Sequence, residues 1–153
     1  MNIFPWQKKK EFFSDEEKQQ LIQAIKLAEQ KTSGEVRVFI ESKCRFVDAL
    51  DRAREIFFKL EMDHTEQRNA TLVYVAVNDH QTAVFGDEGI HQKVGAQYWQ
   101  DIVTKMLLQF RQQNLSDGIC QAITDLGQAL QFYFPYNRDT DKNELPDEIV
   151  FGR

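Results

Sequence analysis

Apolar positions along the chain alternate between a spacing typical of helices and a spacing typical of strands. Apolar residues three or four positions apart predict four helices, over residues 14–33, 47–62, 99–110 and 119–130. Shorter runs rich in β-branched and aromatic residues predict strands over residues 35–41, 70–77 and 81–85. The pattern therefore predicts a chain in which helices and strands follow one another.

Polar residues and glycines at the ends of these segments predict where the helices begin and end. Ser14 and Glu17 have the spacing of a capping box, so the first helix is expected to begin there. Gly34 is expected to end that helix in a left-handed conformation. Ser116 or Asp117 is expected to cap the last helix.

The order of the elements predicts the topology of the sheet. A strand, a helix and a second strand imply a right-handed parallel crossover. Residues 78–80 are turn residues and are too few for a crossover, so the third strand is expected to return antiparallel as a hairpin. Together these connections predict an α/β fold, a three-layer α/β/α sandwich around a small mixed β-sheet with one parallel crossover and one hairpin.

The length of 153 residues fits one domain with its own core. We expect an N-terminal leader at residues 1–13, the α/β domain at residues 14–135 and an acidic, partly mobile C-terminal tail at residues 136–153. The tail ends in an apolar run, residues 149–151, which is expected to dock on the domain or on a partner.

The net charge of −5 disfavours nucleic acid as a partner, because phosphate backbones are bound by clustered Lys and Arg. No segment has the ~20 apolar residues of a membrane-spanning helix, although Ile3, Phe4 and Trp6 beside three lysines allow a weak peripheral membrane contact. Cys44 and Cys120 have neither a zinc nor a redox spacing, so a cytoplasmic location is expected. Another protein is the expected partner.

The turn Gly86-Asp-Glu-Gly89, between the third strand and a short following helix, is the most distinctive polar motif. Asp87 is expected to cap that helix, and Glu88 to favour its positive end. The same two carboxylates are also candidate ligands of calcium, which takes six to eight oxygens. Glu35, Asp117 and the acids of the C-terminal tail are the candidates for further ligands, so capping and calcium binding both stay open.

Arg68, just before the second strand, is expected either to bind an anionic group or to pair with Glu35 or another acid at a strand end. The sequence contains no Walker loop, no Gly-x-Gly-x-x-Gly and no Cys-x5-Arg motif. His64, His80 and His91 share no metal-ligand spacing. These motifs therefore assign no catalytic residue.

A series of short motifs resembles the TPM domain family over essentially the whole chain. The motifs are Phe12-Phe-Ser-x-x-Glu17, Ala28-Glu-x-x-Thr-Ser-Gly-Glu35-Val-Arg-Val38, Arg68-Asn69, Gly86-Asp-Glu-Gly-Ile90 and Asn143-Glu-Leu-Pro-Asp-Glu148. The resemblance implies a compact α/β/α domain with a mixed sheet. It also implies calcium binding, which is reported for some members, and the acid phosphatase activity proposed for a thylakoid-lumen branch that acts in photosystem II repair.

Two functions follow as hypotheses. The first is a non-enzymatic interaction module that assembles or maintains a protein complex and binds calcium. The second is a metal-assisted acid phosphatase acting on phosphomonoesters. The chain resembles the short branch of the family, without a Gly-rich tail, and this favours the first hypothesis.

Overall fold

The computed structural model describes residues 12–46, 48–136 and 149–152, which form five helices and four strands. The helices are α1 (Asp15–Glu29), α2 (Ala49–Lys59), α3 (Glu88–Val94), α4 (Ala96–Arg111) and α5 (Leu115–Tyr133). The strands are β1 (Glu35–Glu41), β2 (Ala70–Ala76), β3 (Gln81–Gly86) and β4 (Ile149–Phe151). None of the helices within these ranges is long and apolar enough to cross a bilayer. Residues 1–11 of the predicted leader and 137–148 of the predicted tail lie outside the described residues.

The strands form one mixed sheet in the order β3-β2-β1-β4. β1 is parallel to β2 and to β4, whereas β2 and β3 form an antiparallel hairpin. The predicted α/β fold, with its crossover and its hairpin, is confirmed. β4 is an addition to the three predicted strands, and it places the apolar end of the tail in the domain's own sheet rather than on a partner.

Two cores lie on the two faces of the sheet because successive side chains of a strand point to opposite faces. Val36, Val38 and Ile40 of β1 pack with the buried faces of α1, α4 and α5. Leu72 and Tyr74 of β2 face the other way and pack against α2. The sheet is therefore the middle layer, with three long helices on one face and α2 on the other.

Two predicted helix ends are wrong. α1 ends at Glu29, five residues before Gly34, and among the described glycines only Gly95 has a left-handed backbone. Gly34 is instead required for packing, because a Cβ there would lie 2.6 Å from a methyl carbon of Leu130. α5 begins at Leu115 with no side-chain cap, since the Ser116 hydroxyl donates to the Glu17 carboxylate across the interface with α1.

Candidate functional site

The Gly86–Gly89 turn joins β3 to α3 at the edge of the sheet where β2 begins. The Asp87 backbone N–H donates to the carbonyl oxygen of Ala70 at 3.0 Å, which ties the turn to the first residue of β2. Asp87 is the N-cap of α3, and its Oδ1 accepts from the Glu88 N–H at 2.8 Å. The predicted cap is confirmed.

Arg68 also binds the Asp87 carboxylate. Its Nε lies 2.7 Å from Asp87 Oδ2 and its Nη2 lies 2.9 Å from Asp87 Oδ1, a bidentate pair. Asp87 is only 2% exposed, and its hydrogen bond raises the pKa of the Arg68 guanidinium. Glu88 is exposed, with its Oε1 3.5 Å from Arg68 Nη1. Of the two roles predicted for Arg68, the structure shows the pair with a strand-end acid.

Both glycines of the turn are required for close approach. A Cβ on Gly86 would lie 2.3 Å from the Trp99 indole, and a Cβ on Gly89 would lie 2.2 Å from the Gln67 carbonyl oxygen. The Gly89 N–H donates to the Arg68 carbonyl oxygen at 2.8 Å. The turn is therefore packed tightly against the segment before β2 and does not form an open loop.

Glu35 lies at the same edge of the sheet, but on the far side of β2 from Asp87. Glu35 is in register with Ala70, and Asp87 follows β3, the other neighbour of β2. Two strand spacings of about 4.8 Å separate the two backbones. Glu35 is 3% exposed and faces the α2 layer, on the same face as Leu72.

Asp117 lies at the opposite end of the domain. It is in the first turn of α5, next to Ser116, which contacts Glu17 near the start of α1. The far end of α5 reaches the start of β1, because the Thr32 hydroxyl donates to the Leu130 carbonyl oxygen at 2.9 Å. The thirteen residues from Asp117 to Leu130 rise about 20 Å along the helix, so Asp117 and the Gly86–Gly89 turn do not share a site.

The four predicted ligands, Glu35, Asp87, Glu88 and Asp117, do not converge on one point. No group of three or more His, Cys, Asp or Glu side chains within the described ranges is arranged to hold a metal ion. Both oxygens of Asp87 are already occupied by Arg68. These residues therefore do not fit calcium in their present arrangement, and calcium binding by the chain stays a prediction.

A buried polar cluster at the other end of the sheet was not predicted. Glu41 is the last residue of β1, and both of its oxygens accept from Arg52 of α2, each at 2.9 Å. The Tyr74 hydroxyl also donates to Glu41 Oε2. The pKa of the Tyr74 hydroxyl is raised, mainly by burial and secondly by this hydrogen bond to Glu41. The bonds to Glu41 raise the pKa of Arg52.

This cluster forms one wall of a crevice of about 580 Å³ beyond the carboxyl ends of β1 and β4. The Cys44 N–H donates to Asp79 Oδ2 at 2.7 Å, which joins the loop after β1 to the turn after β2. Open α/β sheets commonly bind ligands at this edge.

The one sign of the buried polar cluster in the sequence is Glu41, an acid on the strand face that also carries Phe39 and is covered by α2. Its partners Arg52 and Tyr74 lie 11 and 33 residues away in the sequence, so Glu41 alone does not reveal them.

A second groove, of about 400 Å³, lies on the helical layer between α4 and α5. Its apolar lining includes Tyr98, Ile102, Ala129, Phe132 and Tyr133. Phe132 is 77% exposed, the largest value among the large apolar side chains of the described residues. The Tyr98 hydroxyl donates to a carbonyl oxygen of α5, and burial raises the pKa of Tyr98 to about 12.

Comparisons with known proteins agree with the fold described above. A family profile described as the TPM domain matches residues 7–129. The NMR structure of the BA42 protein from the psychrophilic bacterium Bizionia argentinensis is 40% identical, with a TM-score of 0.85 over 95% of this chain and 99% of that one. The N-terminal domain of the cg2496 protein from Corynebacterium glutamicum is 12% identical, with a TM-score of 0.57 over 88% of this chain and 80% of that one, a likeness of fold alone. No curated protein matches the chain.

Proposed function

The chain belongs to the TPM domain family, and from this premise we propose that it is a non-enzymatic interaction module that binds another protein through the groove between α4 and α5. The observation that carries the proposal is the 77% exposure of Phe132 beside that groove. A partner that covers this ring would remove a large apolar surface from water. Full burial of a phenylalanine side chain contributes about 1.5–3 kcal/mol.

The surroundings of Phe132 have the composition of a protein contact. Tyr98 and Tyr133 add aromatic surface, and aromatic residues are enriched in the centres of interfaces. Lys105 Nζ lies 3.5 Å from Asp125 Oδ2, and both residues also line the groove. An apolar centre with a charged pair beside it suits a partner that inserts an aliphatic or aromatic side chain next to Phe132.

The apolar end of the tail does not supply this surface. Ile149 and Phe151 pack against the core on the α1 side of the sheet, and β4 pairs with β1. Partner binding through this run, which the sequence left open, would require the strand to leave the sheet. The exposed helical layer requires no such change.

The phosphatase alternative draws no support from the Gly86–Gly89 turn. Phosphoryl transfer needs a nucleophile or an activated water, together with groups that stabilise the transferring phosphoryl. Asp87 is 2% exposed and its two oxygens are held by Arg68. The interaction proposal does not depend on calcium, which stays a separate prediction.

Photo-crosslinking from position 132 tests the proposal. A benzoyl-phenylalanine placed at Phe132 in living cells is expected to give a crosslinked product with one other protein. Phe58 is the matched control, because it is also an exposed phenylalanine (46%) but lies on α2, across the sheet. The product is expected from position 132, not from position 58, and to disappear when Ala129 in the groove is replaced by arginine.

Three outcomes decide the test. A product from position 132 that Ala129→Arg abolishes supports the proposal. Equal products from positions 132 and 58, or none from position 132, contradict it. A product with twice the mass of the chain contradicts the other-protein part, because the occupant is then a second copy. Circular dichroism of Ala129→Arg checks that loss of the product does not come from unfolding.

A further inference from the structure

We infer that Arg68 takes the place of a bound cation at the Gly86–Gly89 turn, so that the protein's own guanidinium neutralises this turn and no divalent ion binds there. Asp87 and Glu88 are the two carboxylates whose spacing suggested a calcium site. In the structure Arg68 contacts both of them: its Nε and Nη2 donate to Asp87, and its Nη1 lies 3.5 Å from Glu88 Oε1.

The hydrogen bonds of Asp87 explain why an added cation has no place. Its Oδ2 accepts from Arg68 Nε at 2.7 Å, and its Oδ1 accepts from Arg68 Nη2 and from the Glu88 N–H at 2.9 and 2.8 Å. A calcium ion needs six to eight oxygens and would have to displace the guanidinium to reach these two. Arg68 is tied in place by a bidentate pair to a buried acid.

The backbone is built to hold Arg68 in this position. Arg68 has a φ of 52°, in the left-handed region that residues with a Cβ rarely adopt. Its carbonyl oxygen accepts from the Gly89 N–H at 2.8 Å, an approach that is possible because Gly89 has no side chain. Strained residues that persist in a fold are held there by their surroundings. The glycine of the turn and the arginine before β2 therefore act as one unit.

Removal of the guanidinium is then expected to create a cation site. In Arg68→Met the Asp87 carboxylate keeps its burial and its bond to Glu88 N–H but loses its counter-ion. A buried carboxylate that loses its counter-ion is left as an uncompensated charge, which a bound cation would neutralise. Glu88 is exposed and can supply a second oxygen. Weak, millimolar binding is expected from two carboxylates completed by water.

A calcium titration followed by amide NMR tests the inference. Wild type, Arg68→Met and the double variant Arg68→Met with Asp87→Asn are each titrated with CaCl2 to concentrations well above the expected millimolar dissociation constant. The amides of residues 86–89 are expected to stay unchanged in wild type, to show saturable shifts in Arg68→Met, and to lose those shifts in the double variant. Shifts elsewhere in the chain report other binding and are compared across all three proteins.

Two results would overturn the inference. One is saturable shifts at residues 86–89 of wild type, which would mean that calcium binds despite Arg68. The other is a folded Arg68→Met that shows no shifts there. If Arg68→Met does not fold without calcium, circular dichroism follows the same titration. Recovery of the native spectrum with CaCl2, absent in the double variant, supports the inference, and failure to recover contradicts it.

Discussion

Replacement of Arg52 by methionine is expected to lower the free energy of unfolding by about 3–5 kcal/mol. The reason is that Arg52 supplies two hydrogen bonds to Glu41, whose side chain is only 7% exposed. Methionine preserves most of the side-chain volume but leaves a buried carboxylate whose remaining side-chain donor, among the described residues, is Tyr74. Urea unfolding followed by circular dichroism measures the change.

Arg54→Met is the matched control for this variant. Arg54 lies on the same helix, is exposed, and stacks over the Phe85 ring at 5.6 Å. Loss of such a contact costs about 0.5–1 kcal/mol. Adding Glu41→Gln to Arg52→Met removes the buried charge and is expected to restore part of the loss. Equal losses in the free energy of unfolding of Arg52→Met and Arg54→Met would show that the pairing of Glu41 with Arg52 adds no stability beyond that of a surface contact.

The variant Gly89→Ala is expected to lose about 3 kcal/mol of stability, although alanine is the better helix former. The new methyl group would lie 2.2 Å from the Gln67 carbonyl oxygen and 2.5 Å from the Arg68 carbonyl oxygen, and both are backbone atoms. To relieve these clashes the turn must move away from the segment before β2, which strains the Gly89 to Arg68 hydrogen bond. Urea unfolding gives the magnitude.

Gln92→Ala provides the comparison for Gly89→Ala, because Gln92 lies on the exposed side of the same short helix. That substitution is expected to change the free energy of unfolding by less than about 0.5 kcal/mol. A Gly89→Ala protein as stable as wild type would show that the turn can shift to accommodate the methyl group without loss of stability. The close packing described for residues 86–89 would then not be a requirement of the fold.

Features encoded within a few neighbouring residues were predictable from the sequence. The capping box of Ser14 and Glu17 is present in both directions, and Asp87 caps α3 as expected. The limits of β1 agree with the prediction because its β-branched run has polar ends. Capping bonds form between residues one to three positions apart, and a strand is a run of consecutive residues. Both patterns are therefore visible in a single sequence.

Features that depend on distant partners were not predictable in detail. Arg68 and Asp87 are 19 residues apart, and the sequence named Glu35 as the first candidate for this pair. Glu41 and Tyr74 meet across 33 residues because β1 and β2 are parallel and in register. The prediction for Gly34 is wrong because this glycine leaves room for the side chain of Leu130, which is 96 positions later in the chain. β4 has only three residues and is defined by its pairing with β1.

The interpretation of the Gly86–Gly89 turn changes once its contact with Arg68 is known. Its two carboxylates suggested a metal centre, and the structure shows a junction in which Asp87 caps α3 and pairs with Arg68. Phe132 and its groove were absent from the sequence predictions, because a helical spacing does not reveal which apolar residues stay uncovered. The proposed function accordingly rests on the helical surface rather than on the turn.

Hydrolysis of p-nitrophenyl phosphate in millimolar CaCl2 or MgCl2 tests most directly whether the Gly86–Gly89 turn is a structural junction rather than a reaction centre. Wild type is compared with a variant carrying Asp87→Asn and Glu88→Gln, whose fold is checked by circular dichroism. We predict that neither protein releases phosphate faster than buffer with the same metal. Turnover by wild type that the folded double variant lacks would contradict this and assign the turn to a reaction centre.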